Sequence, residues 1–178
     1  MRDKDVVHGA QMRARHRHRG ITLLELLVTL AVASILLTVA VPNMQVLVQN
    51  NRTVSSTNEL VSALNVARAE AIKRGESVSL SALVPSQRLG GGACIHTGNS
   101  CDDDTRIREY GVMSRMEVSA IAGNDQRIIF DARGLKTSPA GAVVIQLSPE
   151  SCTPGASGRA RTVTVHAMGR ITTRPADC

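Results

Sequence analysis

The chain has 178 residues, of which 43% are hydrophobic, and it carries a formal net charge of +6. This length suffices for one domain with an additional segment, and a single Phe, a single Tyr and no Trp leave Val, Ile, Leu and Ala to fill the core. Beyond residue 20 the only histidines are His96 and His166, and no serine-hydrolase, phosphate-loop or zinc-protease motif occurs. The sequence therefore predicts no catalytic site, no cofactor and no metal.

A basic leader precedes a long uncharged stretch. Residues 1–20 contain six Lys/Arg against two Asp, a net charge of +4. No charged residue occurs in the 26 positions from Leu26 to Asn51, whereas about 20 helical residues cross the hydrocarbon layer. The Arg-rich flank predicts a cytoplasmic N-terminus and an exported remainder. An ordinary signal peptide cleaved after Ala40 is the alternative, but it gives no reason for the carboxylate of Glu25.

Glu25 lies at the start of the apolar segment. A charged side chain at the bilayer centre costs about 2.5–3.5 kcal/mol, and such residues usually have a partner. Cleavage between Gly20 and Ile21 would create a free amine four residues before this glutamate. We expect that amine to neutralise the carboxylate, either within one chain or between neighbouring chains.

The stretch "G-ITLLELLVTLAVASILL" resembles the class III signal of the type IV prepilin family. The resemblance implies that prepilin peptidase cleaves after Gly20 and methylates Ile21, and that Glu25 and Pro42 serve assembly. Ile21 stands where the family usually has Phe, and because both are large and apolar we expect cleavage to be retained. The alternative for Pro42 is that it simply ends the membrane segment.

The next segment, "NNRTVSSTNELVSALNVARAEAIKRG" (50–75), has the period of an amphipathic helix. Its apolar positions are Val54, Leu60, Val61, Leu64, Ala67, Ala71 and Ile72. We expect one helix from Ile21 to about Arg74, with Gly75 at its C-terminal cap. The pattern "NEL..AL..AR.EAI.RG" resembles the GspH/FimT branch of minor pilins.

After Gly75 the apolar residues alternate, which is typical of strands. The sequence predicts strands at 77–84, 116–121, 127–131, 141–148 and 160–167, a weaker one at 107–113, and a mobile loop at 86–105. Strands that follow one long helix predict an α+β fold with an antiparallel sheet packed on the helix. The turn in "IIFDARGL" also resembles the GspH/FimT branch.

Four cysteines fit an exported domain in an oxidising compartment. Three pairings are open to them, and proximity along the chain favours Cys94–Cys101 and Cys152–Cys178. A zinc site is the rival interpretation, but the sequence has no C-x-x-C spacing.

An acid-free basic stretch runs from Gly158 to Arg174, near the end of the sequence. Its four arginines are Arg159, Arg161, Arg170 and Arg174. Arginine pairs with phosphate through two hydrogen bonds, and some FimT-type pilins bind DNA for uptake through a C-terminal "GRxR" motif. "GRAR" (158–161) matches the letters but precedes the predicted strand, whereas "GRIT" (169–172) follows it without the second Arg. Ordinary solubilising arginines are the alternative.

The resemblance also implies a domain organisation. Residues 1–20 form a cleaved cytoplasmic leader, residues 21–49 a single span of the bacterial inner membrane, and residues 50–178 a periplasmic globular domain. The implied partners are other pilins or pseudopilins in a filament, with this subunit near the tip, and candidate partners include DNA. Type II secretion and type IV pili share this signal, so the two systems stay open. A membrane-anchored periplasmic enzyme is the remote alternative.

Overall fold

The computed structural model describes residues 21–84, 88–101, 104–120 and 127–178. Within them the chain forms one helix followed by strands, and it divides into two compact units, one ending at Pro42 and the other covering Asn43–Cys178. The helix, α1, covers Leu23–Arg74. The strands are β1 Val78–Val84, β2 Arg88–His96, β3 Arg106–Tyr110, β4 Met116–Ala120, β5 Arg127–Phe130, β6 Lys136–Ser138, β7 Val143–Pro149, β8 Ala160–Val165 and β9 Ile171–Ala176.

The predicted single helix is confirmed, with its end at Arg74 as expected and its start two residues later than Ile21. Gly75 follows with a φ of 69°, and its N–H donates to the carbonyl of Ala71 at 3.0 Å. Glycine adopts this left-handed conformation without steric cost and so ends the helix. Glu70, one turn earlier, has its pKa lowered, first of all by the hydrogen bond from Arg74.

In the second unit the helix packs through small and aliphatic side chains. Leu60, Leu64, Ala67 and Ala71 are almost fully buried, as the periodicity predicts. Val54 and Ile72, which the same pattern placed on the apolar face, remain 40% and 51% exposed. The buried threonines Thr53 and Thr57 instead continue the packed face, because each hydroxyl donates to a carbonyl one turn earlier and is thereby satisfied.

The strands form two antiparallel sheets. One has the order β3-β2-β1-β5-β6 and the other the order β4-β7-β8-β9. The predicted α+β fold is confirmed, although the sequence suggested one sheet and the structure has two. Both sheets pack with the helix around one hydrophobic core. The largest side chains that are fully buried in this core include Phe130, Leu60, Leu64, Leu80, Ile95, Ile145 and Leu147.

The loop predicted at 86–105 is wrong over residues 88–96, which form β2 between β1 and β3. The segment "RLGGGACIH" gave no alternating signal since its glycines carry no side chain to alternate. Gly92 has a φ of 100°, and a Cβ there would meet Leu83 Cδ1 at 2.9 Å and the carbonyl of Tyr110 at 3.0 Å. Glycine therefore permits a close approach inside a sheet.

Two further strands were not predicted. β6 has only three residues, and β9 contains Pro175 and a run of exposed Thr and Arg. β9 lies at the edge of its sheet, where a proline and polar side chains are tolerated because one side of the strand makes no ladder hydrogen bonds.

The turn after β5 is held by one carboxylate. Asp131 Oδ1 accepts the N–H groups of Arg133 and Leu135, each at 2.9 Å. These backbone hydrogen bonds, that of Leu135 first, hold the pKa of Asp131 below its usual range. The turn places Gly134 beside the helix, where the carbonyl of Gly134 accepts a hydrogen bond from Arg68 Nε at 2.9 Å.

Candidate functional site: the N-terminal helix and the basic hairpin

Glu25 lies in the first turn of α1, and Thr22 caps that turn. The backbone N–H of Glu25 donates to Thr22 Oγ1 at 3.1 Å, and Leu26 N–H donates to the Thr22 carbonyl at 3.1 Å. Threonine at this position satisfies an N–H that the helix itself leaves unpaired. Sequence reasoning missed Thr22, although T-x-x-E before an apolar run is the signature of a capping box.

The helix around Glu25 is apolar on all sides and exposed. Leu23, Leu24, Leu26, Leu27 and Val28 are 52–76% exposed, and apolar exposure continues to Val41. The hydroxyls within this stretch are those of Thr29, Ser34 and Thr38, and each donates to the carbonyl three residues earlier. The segment therefore offers few unsatisfied polar groups to a lipid or protein environment. By length and composition α1 is able to cross a membrane.

The predicted cleavage site and the assembly residue Pro42 differ in what the structure describes. Gly20 and the leader 1–20 lie outside them. The backbone at Pro42 is helical, and α1 continues beyond it for some thirty residues, while the boundary between the two compact units falls directly after it. Proline within a helix removes one hydrogen bond and weakens it locally.

The structure divides the four arginines of the C-terminal hairpin between the two faces of its sheet. In the β8–β9 ladder Thr162 pairs with Arg174 and Thr164 with Thr172, whereas the alternate position Val163 is buried in the core. Because side chains alternate along a strand, Arg174 lies on the face opposite the core.

Arg170 and Arg174 belong to one basic depression on this outer face. It has a volume of about 460 Å³ and is lined by Thr164, His166, Arg170, Thr172, Thr173 and Arg174. His166 Nε2 lies 3.2 Å from Thr172 Oγ1. The depression contains two exposed guanidinium groups and no carboxylate among its lining residues, so it suits an anion.

Arg159 and Arg161 lie on the helix side of the same sheet. Arg159 Nη2 donates to Gln49 Oε1 of α1. Arg161 lines a separate groove with Val54, Thr57 and Asn58 of the helix. The predicted cluster of four arginines is therefore two pairs, and the sequence pattern "GRAR" describes the helix-facing pair.

The two disulfides join Cys94 to Cys101 and Cys152 to Cys178, the pairings that proximity along the chain favours. His96 is fully buried, and its Nε2 lies 2.8 Å from Ser81 Oγ. Its ring lies close enough to both sulfurs of the first disulfide to resemble a metal cluster, with the candidate ligand atoms within 4.8 Å of one another. However, both sulfurs are bonded to each other, and only thiolate sulfur is a zinc ligand.

Comparison with protein families decides the identity of the chain. Residues 15–41 match the prokaryotic N-terminal methylation motif, and residues 56–169 match the family described as type II transport protein GspH. The chain belongs to the GspH family. No match was found among curated protein sequences.

Solved structures of this kind have the same fold. The type IV minor pilin FimU of Pseudomonas aeruginosa has a TM-score of 0.60 and 21% identity, and the match covers 70% of this chain and 90% of that one. The minor pseudopilin EpsH from the type 2 secretion system of Vibrio cholerae has a TM-score of 0.50 and 12% identity, over 70% of this chain and 97% of that one. Family and fold assign the protein to the minor pilins and pseudopilins of type II secretion systems or type IV pili. These are structural subunits.

Proposed function

We propose that the protein is made as a prepilin, cleaved between Gly20 and Ile21 and methylated on Ile21. Residues 21–49 then anchor it in the bacterial inner membrane, with residues 50–178 in the periplasm. From there it joins other pilins or pseudopilins near the tip of a filament. The match of residues 15–41 to the methylation motif supports this order of events.

The observation that carries the proposal is the carboxylate of Glu25 on an otherwise apolar, exposed helix. Because Thr22 caps the first turn, Ile21 lies outside the helix, which begins at Leu23. The amine that cleavage exposes would therefore be free to reach the glutamate of an adjacent subunit. Pairing two such charges in an apolar environment stabilises both.

Substitution of Glu25 tests this role. We expect Glu25→Leu to insert and to be cleaved normally, but to be lost from filaments, because the amine of its neighbour then has no counter-charge. Thr29→Ala is the matched control, since it removes a hydroxyl that is satisfied within the same helix. The measurement is recovery of each variant in sheared pili or in crosslinked pseudopilus complexes. Normal recovery of Glu25→Leu would refute the assembly role.

DNA binding is a second candidate function, favoured by the outer-face depression with Arg170 and Arg174. Contacts of this kind go to phosphates, so binding should be independent of sequence and weak, about 10⁻⁴–10⁻⁶ M at physiological salt. For each phosphate contact, the logarithm of the association constant should fall by about 0.9 for every tenfold rise in salt concentration.

A double substitution distinguishes DNA binding in the outer-face depression from attraction to the overall positive charge of the chain. We expect Arg170→Gln/Arg174→Gln to abolish the salt-dependent binding of labelled duplex DNA to the full chain in lipid nanodiscs. Arg161→Gln, on the helix-facing side, should leave binding unchanged. If the wild-type protein shows no binding at low ionic strength, the depression is a solvated surface and the structural role alone stands.

A further inference from the structure

The unit that begins at Asn43 contains the boundary between the apolar and the polar part of the helix. Val46, Leu47 and Val48 are 42%, 55% and 40% exposed and make no part of the core. The next four residues are Gln49, Asn50, Asn51 and Arg52, all polar. In a helix that crosses a bilayer, such a change in polarity marks the level of the lipid headgroups.

Arg159 reaches this boundary from the sheet. It directly precedes β8, and its Nη2 donates to Gln49 Oε1. A guanidinium has five N–H donors, and Gln49 accepts from one nitrogen. Arg159 Nε is buried and has no hydrogen-bond partner among the described residues. The cation is therefore held at the boundary by the helix, and since Nε is buried, only the Nη donors are able to serve an external acceptor.

Two further charged residues, Arg115 and Asp177, are next to residues that make contacts in this part of the unit. Thr53 Oγ1 lies 3.9 Å from the sulfur of Met116, the residue that follows the exposed Arg115 in the chain. Asp177 Oδ1 accepts the N–H of Gly158 at 2.8 Å. That hydrogen bond leaves Asp177 beside the residue that precedes Arg159, so the surface carries both signs of charge.

We propose that Arg159 binds the phosphate of a phospholipid headgroup and holds the base of the Asn43–Cys178 unit against the membrane surface. A phosphate oxygen is the acceptor that an arginine fork pairs with most strongly. Cationic side chains near the end of a membrane span extend to this level for the same reason. The proposal rests on the proposed membrane anchoring and assigns Arg159 to lipid rather than to DNA.

Photo-crosslinking of the full chain in nanodiscs of phosphatidylethanolamine and phosphatidylglycerol tests it. One lipid carries a photoactivatable group in the headgroup and another carries it at the end of an acyl chain. We expect the headgroup probe to label the peptide that contains Arg159. Labelling should fall about threefold to fivefold in Arg159→Gln, because losing one ion pair at the protein surface weakens binding by about this factor. Arg174→Gln, on the opposite face of the sheet, should retain it. Arg159→Lys keeps the charge but loses the fork, so it should retain only part of the labelling.

The two probes distinguish the ways in which the idea can fail. In one outcome, the acyl-chain probe labels residues 26–41, but the headgroup probe labels wild type and Arg159→Gln equally. This result would overturn the headgroup contact and leave the membrane anchoring in place. Absence of acyl-chain labelling in residues 26–41 would overturn the membrane anchoring on which it rests. If Arg159→Gln does not fold, a salt titration of the wild type replaces it. Labelling should then fall as screening increases, and labelling that is independent of salt would contradict the proposal.

Discussion

Three residues from distant parts of the sequence meet where the end of the helix touches both sheets. Arg68 Nε donates to the carbonyl of Gly134, and a Cβ on Gly169 would lie 2.1 Å from that carbonyl and 2.8 Å from Arg68 Nε. Gly169 also has a φ of 74°. No side chain fits at this point, so the turn between β8 and β9 can dock on the helix only through glycine.

Gly169→Ala should therefore destabilise the fold by more than the cost of placing alanine in a left-handed backbone conformation. We expect a loss of about 1–2 kcal/mol from the left-handed conformation and about 1–3 kcal/mol more from overpacking. Gly141→Ala is the control, because Gly141 has a similar φ of 72° and nothing within 4 Å of the added Cβ. Denaturant unfolding measures both variants, and equal losses would show that the close approach carries no energetic weight.

The arginines show where residue-scale prediction from sequence ends. The sequence places four cations in one acid-free stretch, but it does not state the register of β8 and β9, which alone decides the face of each side chain. Thr22 was missed for a different reason, because its capping role is visible in the sequence as T-x-x-E. Glu25, by contrast, stands out from sequence alone since a carboxylate in an apolar run needs an explanation.

At the scale of elements, the predictable segments are those whose period reflects burial. α1 and strands β1, β4, β5, β7 and β8 lie close to their predicted positions, because apolar side chains repeat along them at helical or alternating spacing. β2 was interpreted as a loop, since glycine leaves no pattern, and β9 was missed, since an edge strand with polar residues resembles a loop. Tertiary packing, rather than local preference, forms these two strands.

The edge strand β9 depends on what holds its end. Cys178 is bonded to Cys152, its N–H donates to the carbonyl of Ala156 at 3.1 Å, and its carbonyl accepts from Gly155 at 3.0 Å. Because β9 pairs only with β8 among the described strands, these contacts restrain the side of the sheet that has no second neighbour.

Removing the second disulfide should therefore loosen β9 selectively. We expect Cys152→Ala/Cys178→Ala to lose about 3 kcal/mol of unfolding free energy and to exchange the amide hydrogens of β9 faster than those of β1. Cys94→Ala/Cys101→Ala is the control, and its effect on exchange should be concentrated in β2. Hydrogen exchange read by mass spectrometry compares the two variants. Uniform acceleration across both sheets would contradict a local role for the bridge.

At the scale of the whole molecule, the protein combines a core-forming unit with an apolar helix surface that the isolated chain leaves exposed. The large side chains from Ile21 to Val41 are about half exposed or more, whereas those from Leu60 to Ala71 that face the sheets are almost fully buried. A soluble chain rarely exposes so much contiguous apolar surface. The membrane and the neighbouring subunits proposed above would cover the exposed first half of the helix, while the sheets cover the second half.

Everything proposed for the helix depends on removal of the basic leader at Gly20, after which Ile21 becomes the methylated first residue. Intact mass spectrometry of the membrane-extracted protein tests it most directly, together with Gly20→Gln as a variant that alters the expected cleavage site. We expect a chain that begins at Ile21 and carries one methyl group, and an unprocessed chain for the variant. A mature N-terminus near Val41, as a conventional signal peptidase would produce, would contradict it.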